Sequence, residues 1–70
     1  MNKNERIMID SMAERLENGE AIRGHFNLLH SETQQELLAV APNLLMNVTH
    51  SERLAMADAL RGLIGAEVDA

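Results

Sequence analysis

The stretch that decides the fold is THSERLAMADALRGLIG, residues Thr49 to Gly65. Thr49 followed three positions later by Glu52 has the form of a capping box, in which a hydroxyl and a carboxylate satisfy free backbone N–H groups at a helix start. Leu54, Ala57, Leu60, Leu63 and Ile64 then recur at the three- and four-residue spacing of one helix face. Gly65 suits the position just after a helix, so the pattern predicts a helix that Gly65 ends.

Working back from that helix, Ser31 and Gln34 form a second box of the S-x-x-Q type, ahead of Leu37, Leu38 and Ala41. The helix they open should stop before Pro42, because proline disfavours helical geometry in the residue preceding it. Pro42 itself suits the first position of a further short turn that turns Leu44, Leu45 and Val48 inward. Upstream, Ile22, Phe26 and Leu29 make a narrow stripe within a helix over 20–29, weakened by Gly24. At the front, Asn2 with Glu5 reads as a third box, and Ile9, Met12, Ala13 and Leu16 follow on a helix over 4–17 closed by Asn18 and Gly19. His-Ser-Glu occurs at 30–32 and again at 50–52, which reads as one capping solution used twice.

Composition agrees with an all-α reading. Apolar residues make up 46% of the 70, close to the globular average, and they come as Leu, Ile, Val, Met and Ala with Phe26 the single aromatic. Leu, Met and Ala favour helices, whereas strands are built from the β-branched and aromatic residues that are scarce here. The expected architecture is a small irregular bundle of four to five short helices, one domain over 1–65 with a frayed acidic tail over 66–70. A chain of this size buries only about 60% of the surface its unfolded form exposes. With no cysteine to staple it, association is the remaining common route to added stability, so a homodimer is expected.

Function classes follow from what the chain contains. Its three histidines lack the spacing that sets two metal ligands on one helix face. Its serines lie in no nucleophile motif, and its glycines form no phosphate loop. No catalytic residue, metal or cofactor is therefore assigned, and the chain is read as a non-enzyme. No apolar window is long enough to span a membrane and the N-terminus lacks the order of a secretory signal, so a cytoplasmic location is expected.

Eleven acidic residues against six basic give a net charge of −5, which repels phosphate backbones and favours a basic partner surface. Asp10, Glu14 and Glu17 fall at i, i+4 and i+7, with Glu20 just beyond, and make an acidic stripe expected to bind that partner. Arg6, four residues before Asp10, offers partial neutralisation. In the last helix, Ala55, Met56, Ala59, Leu60 and Leu63 form a small-residue and apolar strip expected to serve self-association.

The leading reading is a small acidic protein-binding regulator, an inhibitor or adaptor, that occludes or bridges a target protein with a basic nucleic-acid-binding surface. A second reading is a helix-turn-helix type DNA-binding dimer relying on Arg53 and Arg61. Direct nucleic-acid binding is disfavoured because 24–52 holds no Lys or Arg. A third reading is a structural oligomerisation module.

Overall fold

The computed structural model describes residues 1–69, with side-chain surroundings through Ala66. Among the described residues the chain is all-α and compact, with four helices: α1 (Lys3–Asn18), α2 (Arg23–Asn27), α3 (Ser31–Val40) and α4 (His50–Asp69).

Helix α1 begins and ends as its sequence predicts. The Asn2 side chain accepts from the Glu5 N–H at 2.8 Å, and the Glu5 carboxylate accepts from the Asn2 N–H at 3.3 Å. Gly19, at φ 77°, turns the chain out of the helix, and its N–H and that of Glu20 reach back to the carbonyls of Leu16 and Arg15. A side chain at this φ would press its Cβ on the following carbonyl, which is why glycine serves here.

Between α1 and α4 three expectations are corrected. Helix α2 spans little more than one turn, not 20–29, because Glu20 is spent on closing α1 and Ile22 caps α2 without any side-chain hydrogen bond. Ile22, Phe26 and Leu29 are nevertheless buried, so the apolar stripe works across a turn flanked by bends. Ser31 does not cap α3. His30 takes the cap position in extended backbone, and Gln34 donates from its amide to the Phe26 carbonyl at 2.9 Å instead of reaching back to its own helix start. Helix α3 does stop short of Pro42, but residues 42–45 form a turn held by Leu44 N–H to Ala41 and Met46 N–H to Asn43, with no helix of their own. Leu44 is buried there, and Leu45 and Val48 pack partly against the core.

Helix α4 opens with the Thr49–Glu52 box as expected, Glu52 N–H donating to the Thr49 hydroxyl at 3.2 Å. It continues through Gly65 to Asp69, since among the described residues only Gly19 adopts positive φ and nothing that breaks a helix follows position 65. The tail expected to fray over 66–70 is thus helical through Asp69, and Ala70 lies outside the described residues. Leu54, expected inside, is 40% exposed, and Met56 takes the inward position.

The core gathers Ile9, Met12, Ala13 and Leu16 of α1 against Ala57 and Leu60 of α4, with Phe26, Leu37 and Leu44 closing its other side. Arg53 meets the last turn of α1 while Arg61, two turns further along α4, reaches back to Asp10, so α1 and α4 run in opposite directions.

Candidate interaction surface

Five of the six basic residues are arginines, and all five guanidinium groups bond within the chain. Arg53 is the most heavily used. Its Nε donates to the Leu16 carbonyl at 3.0 Å and its Nη2 to the carbonyls of Glu20 at 2.5 Å and Arg15 at 3.4 Å. These carbonyls belong to the end of α1, where unpaired C=O groups and the helix dipole attract a cation. Arg15 donates to the Ala21 carbonyl at 2.6 Å, Arg23 to Leu45 at 3.2 Å and Arg6 to Met1 at 3.3 Å.

The acidic stripe on α1 is brought together only in part. Glu17 accepts two bonds from Arg61, at 2.6 and 3.0 Å, a bidentate pair that holds its carboxyl below the usual range against the opposing effect of burial. The same pair pushes the Arg61 guanidinium up, with Asp10 adding to it from 3.9 Å. Asp10 is thus met by Arg61 from α4; Arg6, expected to neutralise it, turns to the Met1 carbonyl. Glu20 stands 3.8 Å from Arg15, and Glu14 is exposed. Of the four stripe residues, Asp10, Glu14 and Glu20 are exposed, and Glu17 is half-buried against Arg61.

The self-association strip divides as well. Leu60 and Met56 are committed to the chain's own core, Leu63 and Ala59 are half-buried, and Ala55 is exposed. Ala55, Met56 and Ala59 line a groove of about 220 Å³ with Val40, Pro42 and Glu52, between the end of α3 and the first half of α4. No spacing rule links positions 40 and 42 to 55 and 59, so sequence reasoning missed this surface.

A second feature missed from sequence is Glu5. Beyond capping α1, its buried carboxylate accepts from the His30 N–H at 3.0 Å and lies 3.3 Å from His30 Nδ1, so it closes the entrance of α3 as well. Burial alone would raise this carboxyl. Donors from His30, Thr33 and Asn2 outweigh burial and hold the carboxyl down at about 2. Next to it an open depression of about 540 Å³ is walled by Glu32, Thr33 and Glu36 of α3.

His25 and His50 stand apart from this cluster, and among the described residues no three His, Asp or Glu side chains gather as a metal site. Among the described residues no helix is long and apolar enough to cross a membrane. No family model matches the chain, and neither a curated protein nor a solved structure is similar to it at a significant level.

Proposed function

We propose that this chain is a non-catalytic, cytoplasmic protein-binding regulator that docks its acidic exterior on a basic surface of a target protein, occluding or bridging it. One observation carries the reading: every arginine is spent on the chain's own carbonyls and carboxylates, whereas Glu14, Glu32 and Asp58 face solvent. Lys3 and Arg23 are exposed against exposed Asp10, Glu14, Glu20, Glu32, Glu52 and Asp58, so the described exterior is predominantly acidic. A basic target surface such as a nucleic-acid channel complements it, and steering of this kind is screened by salt.

The test is affinity capture from lysate of the source cell with the wild-type chain and with Asp10→Lys/Glu14→Lys. Glu17 is left intact because its loss would strip Arg61 of its partner. A stoichiometric protein retained at low salt, released as salt rises and lost with the double variant is the expected result. Capture that ignores both salt and charge reversal rejects the acidic-exterior reading.

Homodimerisation is the second reading, favoured by the exposed Ala55 and the half-buried Ala59. A dimer would rest on those two and Leu63, because Met56 and Leu60 already face inward. The DNA-binding reading finds less support, since Arg53 and Arg61 hold α4 to α1. An oligomerisation module as the whole function predicts a helical signal that falls on dilution.

A further inference from the structure

We infer that the Asn18–Gly19 link at the end of α1 is a site of self-modification, where the Gly19 backbone nitrogen displaces the Asn18 side-chain amide, and that Arg53 holds this reaction back. The reaction consumes water and needs no partner protein, so it stands apart from the docking reading.

Which asparagine reacts is set by the residue that follows it. The asparagines at 2, 4, 27, 43 and 47 are followed by Lys3, Glu5, Leu28, Leu44 and Val48, and only Asn18 is followed by a glycine. A side chain on the following residue crowds its nitrogen and narrows the backbone angles that bring this nitrogen onto the carboxamide carbon. Glycine removes both obstacles. Asn18 and Gly19 are exposed, and a Cβ built on Gly19 would meet nothing within 4 Å, so water reaches the link.

The steps balance without an oxidant or reductant. The Gly19 nitrogen gives its proton to water or hydroxide and bonds to Asn18 Cγ. The bond from Cγ to Nδ2 then breaks, and ammonia leaves with a proton taken from solvent. The product is a five-membered cyclic imide. Water opens it at Cγ, which leaves an aspartyl residue, or at the backbone carbonyl carbon of position 18, which routes the main chain through Cβ and lengthens it by one atom. Overall the amide nitrogen leaves as ammonia and water supplies the oxygen of a new carboxyl group.

The fold controls the rate. Ring closure requires Asn18 to leave helical geometry, whereas the N–H groups of Gly19 and Glu20 bond back to the carbonyls of Leu16 and Arg15 at 3.3 and 2.8 Å. Helix ends open locally at low free energy, and the first of these two bonds is already long. Arg53 opposes the opening, because its guanidinium joins the Leu16 carbonyl before the link to the Glu20 carbonyl after it, at 3.0 and 2.5 Å. The rerouted product cannot restore this arrangement. An extra main-chain atom between Leu16 and Glu20 displaces the carbonyls that Arg53 spans, and the new carboxylate stands at the negative end of the α1 dipole. A transient opening of the corner between α1 and α4 is thereby made permanent.

The experiment stores the chain in neutral buffer and samples it over weeks. Cleavage after Lys and Arg releases Leu16–Arg23, whose single asparagine is Asn18. Mass spectrometry reads the exchange of NH2 for OH in that peptide, and labelling by an isoaspartyl methyltransferase marks the rerouted form. Conversion confined to Asn18, absent in Asn18→Gln and several-fold faster in Arg53→Lys, is expected. Glu5→Gln weakens the opposite end of α1, controls for general destabilisation, and should leave the rate nearly unchanged. Conversion at no asparagine, or at several alike, overturns the inference. Equal acceleration by Glu5→Gln and Arg53→Lys overturns the part assigned to Arg53. The rerouted form, isolated by chromatography, should melt below both the fresh chain and Asn18→Asp, which carries the added charge on an unaltered main chain. Melting level with Asn18→Asp overturns the loosening of the α1–α4 corner.

Discussion

Glu5 is the residue on which most of the local structure converges. Its carboxylate serves the first turn of α1 and the first turn of α3 at once, accepting from Asn2, His30 and Thr33 while it is itself buried. Bonds to a charged acceptor contribute more than neutral ones, about 1.5 to 3 kcal/mol net, so Glu5→Gln should lower unfolding stability by that amount in urea titrations followed by helical circular dichroism. The pH dependence has a definite sign. Its folded-state pKa of about 2 lies below the ordinary 4.5, so the unfolded chain takes up a proton first on acidification. The stabilisation is fully present above about pH 4.5 and is lost as pH falls toward 2. Glu5→Gln should flatten that part of the acid-stability profile, and an unchanged profile would mean the carboxylate is not held as its geometry implies. The Asn2–Glu5 box is legible from spacing alone. The bond to His30 is not, because its partners lie 25 residues apart and nothing local distinguishes a carboxylate with one task from one with two.

At the scale of the helix, ends were readable where a side chain had no competing partner. Asn2–Glu5 and Thr49–Glu52 formed their boxes, while Ser31–Gln34 did not, since Gln34 found the Phe26 carbonyl and Glu5 had already met the entrance of α3. Gly19 and Gly65 look alike in sequence, yet only the first leaves helical geometry. Two substitutions separate these cases. Gly19→Ala should destabilise by about 1 kcal/mol, the steric cost of the left-handed region for a residue with a Cβ. Gly62→Ala should stabilise by about 0.4 to 1 kcal/mol, because the position is helical, exposed and empty around the added methyl. Thermal melting of the two variants against the wild type reads both signs, and destabilisation by Gly62→Ala would mean that something already covers that face of α4.

Across the whole molecule, helix class and most core positions followed from apolar spacing, whereas the disposition of charge did not. Periodicity puts Asp10, Glu14 and Glu17 on one face, but it cannot say that α4 lays Arg61 across two of them. Nor does any pattern in the last helix mark Arg53 as the residue that joins it to the end of α1. The consequence is an acidic face of α1 partly neutralised from α4, and a fold held at one corner by a single guanidinium. A domain of this length has about 4 to 10 kcal/mol of stability in all, so that corner matters. Arg53→Ala removes donors from the carbonyls of Leu16, Arg15 and Glu20 and should cost about 2 to 3 kcal/mol. Arg53→Lys should recover only part of this, since an ammonium on a flexible stem does not reproduce the planar fork that reaches several carbonyls together. Urea unfolding at one protein concentration measures both. A transcription-factor role for Arg53 requires the opposite result, a variant that melts like the wild type and loses only its DNA complex. A large loss of stability in Arg53→Ala with partial rescue by lysine instead makes this arginine a tie between α1 and α4, unavailable to any phosphate.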